Sequence, residues 1–515
     1  MRGPPLSFLL LVLIPATGTA QDAAALAARI DEAMEKTWRS ERLTPSPRAS
    51  DEEFLRRCHL DITGLIPAAQ KARDFIDSKQ RNKRDLLVGE LLESKGYSRH
   101  WSTVWSNLLI GRAGEPIDKL ARLQFQQWLD QRFAAGAPLN VIVHELLTAQ
   151  GTVLDNPPVY WTIYHDASAE ELTGAAARHF LGTQIQCAQC HDHPFEKWKQ
   201  TDFYGMAAFF GRVQQQRVLG IPRIADVRRG DVRLGGMTDA PIVAPRYLDG
   251  VNAKNALFLS RRKQLADWVT ASENKLFARA MVNRMWAQFF GRGLVDPVDD
   301  MGDSNPAVYP EVLEQLADAF VAADYDPKFL IRVMTKTKAY HLTSMPSRNN
   351  QDDWTYFSRA YLKRLTPEEL IGSVIVSTGV GANEKLMESP LFQLMLESVK
   401  QDFVFVFGNM DEAEEVSEFK GTIAQALMMM NSKHAARVTD WKLFDPISLK
   451  LRTARSLEAC LEWLYLSTLS RRPSIVETRG LSRYLRGASG VNERLEICED
   501  IYWSLLNCSE FAFNH

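Results

Sequence analysis

Residues 168–194 read SAEELTGAAARHFLGTQIQCAQCHDHP and combine a helix start with a short cysteine motif. Ser168 and Glu171 have the spacing of a capping box, and apolar or small residues follow at helical intervals. This pattern predicts a helix that runs to about Thr183 or Ile185 and delivers the first cysteine at its end. We therefore expect the chemistry of the chain to lie where this helix ends.

The cysteine motif is Cys187-Ala188-Gln189-Cys190-His191, which is the C-x-x-C-H pattern of covalent c-type haem attachment. Two thiols at this spacing reach the two vinyl groups on one edge of a porphyrin, while the next side chain turns under the ring. The pattern predicts that Cys187 and Cys190 hold haem c and that His191 ligates its iron. The identity of an axial ligand is a main control on the reduction potential of haem.

Three other interpretations of the motif stay open. Cys187, Cys190, His191 and His193 form a Cys₂His₂ set that could hold zinc, although zinc sites normally draw their ligands from two separated pairs. A redox-active dithiol usually follows a strand in a βαβ unit, and no such unit is visible here. The last alternative is a structural disulfide in a tight turn beside a solvated histidine.

A bound haem would need a second axial ligand or an open position opposite His191. Methionine raises the reduction potential, histidine lowers it, and an open position permits small-molecule chemistry. The candidate ligands near the motif are Met206, His179, His165 and Met237. Aromatic residues that could wall a haem edge, or form an ordinary core, are Phe195, Trp198, Phe203, Tyr204, Phe209 and Phe210.

Residues 1–20 are typical of an export signal. Arg2 supplies positive charge, Leu6 to Ile14 form a short apolar run, and residues 18–20 are small, as at a cleavage site. The apolar run is shorter than the roughly 18 residues of a membrane-spanning helix, and no later stretch reaches that length. We expect a protein exported to the periplasm or beyond, the compartment in which bacteria attach haem c.

The charge balance argues against nucleic acid as a partner. Lysine and arginine number 61 against 63 acidic residues, so no basic surplus exists to neutralise phosphates. Hydrophobic residues make up 45% of the chain, which is enough for sizeable cores.

Helical periodicity dominates on both sides of a segment with a different composition. Residues 21–213 and 256–515 are predicted to form two helical domains. Residues 214–255 are richer in proline, glycine and arginine, and we interpret them as a linker with possible small β-strands. The predicted fold class is therefore mainly α. The candidate strands are Val218–Ile224, Val232–Leu234 and Ile242–Tyr247.

Two further groups of residues leave their chemistry open. One loop contains four oxygen-bearing side chains, Asp299, Asp300, Asp303 and Asn305, which could face calcium. Their spacing is not that of an EF-hand and suits an ordinary turn. The four cysteines outside the motif allow three disulfide pairings, and buried free thiols are an equal alternative; they are Cys58, Cys460, Cys498 and Cys508.

Several stretches resemble a known pair of families. Residues 51–67 and 187–198 resemble the planctomycete cytochrome-like secreted domain, while residues 281–300, 364–368 and 509–515 resemble its usual companion domain. Both families are of unknown function. The resemblance implies an exported protein and a role for Cys187, Cys190 and His191, but it implies no substrate.

These observations together predict an exported c-type cytochrome-like protein with one covalent haem. Its role would be electron transfer or a linked oxidation, with a redox partner that the sequence does not identify. The alternative is a non-catalytic exported binding or scaffold protein in which the motif holds zinc or a disulfide.

Overall fold

The computed structural model describes residues 17–112, 119–237, 239–254, 259–379, 450–454, 456–486 and 490–515. Over these ranges the chain is mainly α-helical, as predicted, and its short strands form small antiparallel groups. Most of the predicted export signal and a predicted helix at Gln425–Met430 lie outside the described residues. No described helix combines the length and the apolar character that crossing a bilayer requires.

The described helices are numbered in chain order. In chain order they are α1 Thr17–Ser40, α2 Asp51–Thr63, α3 Ala69–Asp77, α4 Lys83–Leu92, α5 Lys95–Ile110, α6 Lys119–Ala134, α7 Leu139–Thr148, α8 Val159–Tyr164, α9 Ala169–Leu181, α10 Gln200–Phe210, α11 Arg261–Val269, α12 Lys275–Phe290, α13 Pro310–Ala322, α14 Pro327–Met334, α15 Pro367–Ser377, α16 Leu457–Thr468, α17 Ile475–Leu485, α18 Val491–Leu506 and α19 Ser509–Ala512.

The helix boundaries follow capping chemistry that is readable in the sequence. Thr366 Oγ1 accepts a hydrogen bond from the Glu369 N–H at 3.3 Å, and Glu369 Oε2 accepts one from the Thr366 N–H at 2.8 Å. This reciprocal pair is a capping box. Gly64 ends α2 in the left-handed conformation with φ +67°, which glycine adopts at no steric cost.

The strands form three small antiparallel groups. In chain order they are β1 Gly151–Thr152, β2 Val213–Val218, β3 Ile221–Asp226, β4 Val232–Arg233, β5 Ile242–Val243, β6 Lys363–Arg364 and β7 Phe513–Asn514. The sheet order β1-β3-β2 joins strands about 70 residues apart in sequence, with Gly151 opposite Ile224. The predicted single strand Val218–Ile224 is wrong. Leu219 and Gly220 both have positive φ, so they form a two-residue hairpin turn between β2 and β3.

The buried hydrophobic residues do not divide at residues 214–255. Trp161 from α8 and Trp286 from α12 are fully buried in one cluster that draws on the chain from Ala23 to Tyr361. A second cluster is built from residues 365–511, with Leu60 and Ile66 inserted from the α2 region. The helices before and after the linker therefore share one core.

Helix α2 also anchors the C-terminal residues through buried polar groups. Arg56, buried within α2, donates hydrogen bonds to the carbonyl oxygens of Thr468 at 3.0 Å and Phe511 at 2.8 Å. Asn514 in β7 donates its side-chain N–H to Asp61 Oδ1 at 2.7 Å. These bonds fix the second cluster against the first.

Candidate functional site

Helix α9 leads into the cysteine motif. Ser168 Oγ accepts a hydrogen bond from the Glu171 N–H at 3.3 Å, which confirms the predicted N-cap. The helix ends at Leu181 and not at Thr183 or Ile185, because Gly182 takes the left-handed conformation with φ +62°. A Cβ at Gly182 would also lie 2.9 Å from Met301 Sδ, so the close packing at this turn favours glycine.

The two cysteines lie on and just after a short 3₁₀ turn, Gln186–Gln189. Ala188 is fully buried beneath the turn, in a small cluster that includes Trp198 and Phe203. Cys187 and Cys190 are exposed, and both are free thiols. The turn thus anchors the motif through Ala188 and presents both sulfur atoms to solvent.

The hydrogen bond of His191 fixes which ring nitrogen carries the proton. Its Nδ1 lies 2.8 Å from the carbonyl oxygen of Asp192. Because a carbonyl can only accept, Nδ1 must donate, and Nε2 then holds the lone pair. A metal-binding imidazole typically donates its other N–H to a carbonyl in this way. His191 is exposed, so this Nε2 is oriented by the backbone and available for an axial bond.

His193 has the opposite arrangement. Its Nδ1 accepts hydrogen bonds from the backbone N–H groups of Phe195 at 3.3 Å and Glu196 at 2.9 Å. A neutral ring with an accepting Nδ1 must carry its proton on Nε2. The backbone N–H of His193 donates to the Trp198 carbonyl at 2.8 Å. His193 therefore forms the turn after the motif, and neither of its ring nitrogens offers a lone pair to a metal.

Gln200, at the start of α10, closes the motif loop. Its side-chain N–H donates to the carbonyl oxygens of Gln189 at 3.1 Å and Cys190 at 3.2 Å. Its backbone N–H donates to Asp192 Oδ1 at 2.9 Å, so the N-terminus of α10 receives a carboxylate. These bonds hold the backbone of the motif loop against α10, and they do not involve the thiols of the loop.

The loop formed by residues 299–305 receives Glu196 from the motif segment. The Glu196 carboxylate accepts hydrogen bonds from the Ser304 hydroxyl, the Ser304 N–H at 3.1 Å and the Asp303 N–H at 3.3 Å. These bonds lower the pKa of Glu196. A Cβ at Gly302 would lie 2.2 Å from Glu196 Oε1, so only glycine leaves room for this contact. The oxygen-bearing residues that could face calcium therefore lie on a loop that binds a carboxylate of the same chain.

The same loop and helix α12 also hold the end of α9. The Met301 N–H donates to the Gly182 carbonyl at 2.8 Å, and Gln184 Nε2 donates to Asp299 Oδ1 at 3.0 Å. Arg284 of α12 donates to the Arg178 carbonyl at 2.8 Å, which satisfies a carbonyl in the last turn of α9. Residues after position 260 thus fix both flanks of the motif.

The four candidate second ligands differ in their accessibility. Met206 is fully buried and belongs to the main core, whereas Phe203 and Tyr204 on the same helix belong to the cluster beneath the motif. His179 is 2% exposed, and its ring packs 6.3 Å from the ring of His165, inside the helical body. These three side chains face the core.

Met237 is the exposed member of that set. Its side chain is 63% exposed and follows the short 3₁₀ turn Leu234–Gly236. Met237 Cε and Gln200 Nε2 lie 3.3 and 3.7 Å from the position of a Cβ on Gly235. Because Gln200 bonds to the Cys190 carbonyl, Met237 lies on the same side of the molecule as the motif. Phe195 is a second apolar side chain there, at 84% exposure.

A cleft of about 390 Å³ lies beside α10 and includes Glu170, Val232 and Arg233 in its lining. This volume is within the range of roughly 300–1,000 Å³ for small-molecule sites. The lining of the cleft does not include the motif cysteines. Phe195 and Met237 are the exposed apolar side chains described above on the same side of the molecule as the motif.

Within the described ranges, no three histidine, cysteine, aspartate or glutamate side chains converge as a metal site would require. The Cys₂His₂ set considered for zinc is not assembled, because His193 is engaged in the turn. Zinc would need all four side chains of the Cys₂His₂ set as ligands, whereas haem c requires only one protein ligand to its iron from this segment. The two cofactors therefore require different subsets of the same residues.

The sequence did not single out Glu196, Gln200 or Ser304. A glutamate three residues after His193 is a local signal for a turn. No spacing rule connects it with a serine 108 residues later. Such a contact depends on the tertiary fold.

Comparisons with known proteins return two family models and leave the function open. Residues 29–215 match the model named PSCyt2, described as a protein of unknown function (DUF1549). Residues 261–485 match the model named PSD1, described as a protein of unknown function (DUF1553). No curated protein and no solved structure matches the chain. The chain is thus similar, in this order, to two families whose function is not known.

Proposed function

We propose that the protein is a c-type cytochrome-like protein that carries one haem on Cys187 and Cys190, with His191 as axial ligand. The observation that carries the proposal is the His191 ring, whose Nδ1 donates to the Asp192 carbonyl and leaves Nε2 to bind iron. The two exposed free thiols complete the donor set. Haem supplies one-electron chemistry when it is bound.

The surroundings of the motif favour electron transfer with another protein. An exposed segment leaves the group accessible to a redox partner, and Phe195 and Met237 offer apolar surface beside it. Met237 is the candidate second ligand that the arrangement supports best, since Met206, His165 and His179 face the core. A methionine ligand would raise the reduction potential.

The test is to express the full chain in a host that attaches haem c and to measure intact mass and visible spectrum. We expect a mass gain of one haem and a sharp reduced α-band. Both should be lost in Cys187→Ala combined with Cys190→Ala, and the α-band should change or vanish in His191→Ala.

His193→Ala is the matched control, because it removes the same side chain two positions along. We expect it to keep the haem spectrum and to lower stability by about 1 kcal/mol, the usual value of a lost backbone cap. A colourless protein of unmodified mass, from a host that matures a known cytochrome, would refute the proposal. Bound zinc that disappears in both His191→Ala and His193→Ala would establish the zinc-binding alternative.

A further inference from the structure

The hairpin of β2 and β3 ends in an exposed apolar turn. The two strands pair along their whole length, whereas β1 pairs with Ile224 and Arg223 of β3, farther from the turn. The tip of the hairpin, residues 217–222, therefore extends past the end of β1. Leu219 at its apex is 97% exposed, and Val218 before it is 43% exposed.

The folded state does not require leucine at this apex. Leu219 has φ +52°, in the left-handed region that residues other than glycine, asparagine and aspartate seldom adopt. Because the side chain is almost fully exposed, its contacts within the chain do not offset this strain. A two-residue hairpin turn normally has asparagine, aspartate or glycine at such a position. The apolar side chain is thus available to an environment outside the chain.

The hairpin and the segment after it are strongly basic. Residues 212–233 contain six arginines and two aspartates, although the whole chain has a net charge of −2. Both aspartates are paired with arginines of α11. Asp226 Oδ1 lies 2.8 Å from Arg262 Nε, and Asp231 Oδ1 lies 3.3 Å from Arg261 Nη2. These carboxylates therefore do not compensate the arginines of their own segment.

Two of these arginines flank the apex. Arg217 lies opposite Pro222, and Arg223 lies opposite Gln216, one position farther from the turn. Because successive residues of a strand point to opposite faces, Arg217 and Arg223 project from opposite faces of the hairpin. Both are exposed. An apolar apex with cationic side chains on both faces suits a segment that enters the headgroup region of a bilayer.

We propose that this hairpin tip docks the protein onto a bilayer that contains anionic lipids. Leu219 and Val218 enter the boundary between headgroups and acyl chains, while Arg217 and Arg223 bind lipid phosphates. A protein partner fits less well, because residues 217–222 are far fewer than the roughly 20–30 residues that each side contributes to a stable protein interface. The proposal is independent of haem attachment.

The test measures sedimentation of the full chain with vesicles of phosphatidylglycerol and phosphatidylcholine, and with vesicles of phosphatidylcholine alone. We expect stronger binding to the anionic vesicles, and weaker binding to them as the salt concentration rises. Arg217→Gln combined with Arg223→Gln should lower the binding constant about fivefold for each charge removed. All variants carry the same residues 1–20, so differences in binding between them come from the hairpin.

Leu219→Asn tests the apolar apex. It should lower the binding constant at least about tenfold, because the leucine side chain no longer leaves water on binding. Asparagine tolerates the left-handed conformation better than leucine, so the free energy of unfolding should not fall. A loss of binding in this variant is therefore separable from a loss of fold.

Arg228→Gln combined with Arg229→Gln is the matched control, because it removes the same charge from exposed positions at the base of the hairpin. The strand length places this base about 20 Å from the apex, or about two Debye lengths at physiological ionic strength. We expect the control to change the binding constant less than about twofold.

Three outcomes would overturn the proposal. The first is equal binding of the wild type and Leu219→Asn to the anionic vesicles. The second is an equal effect of the two arginine pairs, which would indicate attraction by net charge alone. The third is retention on immobilised polyglutamate without binding to vesicles, which would assign the hairpin tip to an acidic protein.

Discussion

The two stretches that resemble the cytochrome-like family, residues 51–67 and residues 187–198, place their polar side chains in opposite environments. Asp61 on α2 is 6% exposed and accepts hydrogen bonds from Tyr340 Oη at 2.8 Å and Lys363 Nζ at 2.5 Å. Cys187 and Cys190 are exposed free thiols.

This difference separates side chains that the folded state requires from side chains that it does not require. A buried charge is tolerated only when it is paired, so the polar groups of α2 are explained by the folded state itself. An exposed thiol contributes little to folding. The folded state therefore does not account for the exposure of Cys187 and Cys190. Each experiment below tests one side of this contrast.

The largest effect should come from acid, because one buried histidine lies within the first stretch and another lies on the helix that precedes the second. His59 on α2 is 6% exposed and His179 on α9 is 2% exposed. Burial lowers the pKa of His59 to about 3 and that of His179 well below its usual value. The unfolded chain therefore binds more protons between pH 6.5 and the folded pKa values, and stability falls as the pH drops through that window. For His59 this is about 1.4 kcal/mol per pH unit, or roughly 4–5 kcal/mol over the window down to its folded pKa of about 3.

Urea unfolding at several pH values measures this slope. His59→Gln should reduce it by about 1.4 kcal/mol per pH unit. Thr63→Ser, one turn along the same helix, keeps the hydroxyl that bonds to the His59 carbonyl and should leave the slope unchanged. A pH slope in His59→Gln equal to that of the wild type would show that His59 is not buried as a neutral group.

The next largest effect should follow from breaking the Asp61 network. Asp61→Ala leaves Lys363 with only the carbonyl oxygens of Gln288 and Phe289, and it removes the acceptor of Tyr340 Oη. Removing one partner of a buried ion pair costs about 3–5 kcal/mol. Asp74→Ala on α3 is the control, since this exposed carboxylate bonds only to Gln70 along its own helix. It should change the free energy of unfolding by less than about 0.5 kcal/mol. Equal effects of the two substitutions would contradict the structural role assigned to α2.

The sequence predicted well what local chemistry decides. The Ser168 cap and the mainly helical class depend on neighbours a few residues apart. Even the early end of α9 had a local signal in Gly182, which the helical periodicity outweighed. The hairpin turn at Leu219 and Gly220 was missed for a similar reason. Apolar residues on both sides of a tight turn resemble one continuous strand.

Patterns among neighbouring residues did not predict the long-range contacts. The shared core of the helices before and after residues 214–255 follows from complementary shapes that no spacing rule describes. The tautomers of His191 and His193 depend on backbone groups whose directions are set only by the folded turn. For the loop at residues 299–305, the side-chain oxygens and their spacing left calcium binding and an ordinary turn as alternatives. Its backbone N–H groups, which every residue except proline possesses, turn out to do the binding.

The smallest effect should come from the contact that joins the motif to this loop. Glu196→Gln and Ser304→Ala should each cost less than about 1 kcal/mol, because the carboxylate is close to solvent. Combined, they should show a coupling of about 0.5–1 kcal/mol in the free energy of unfolding, as expected for groups in direct contact. Glu32→Gln on the exposed side of α1 should show no coupling with Ser304→Ala. The informative measurement is amide hydrogen exchange: residues 186–198 should exchange faster in Glu196→Gln, while α2 keeps its protection. Faster exchange in α2 as well would mean that the motif segment supports the core, and the contrast between the two stretches would then fail.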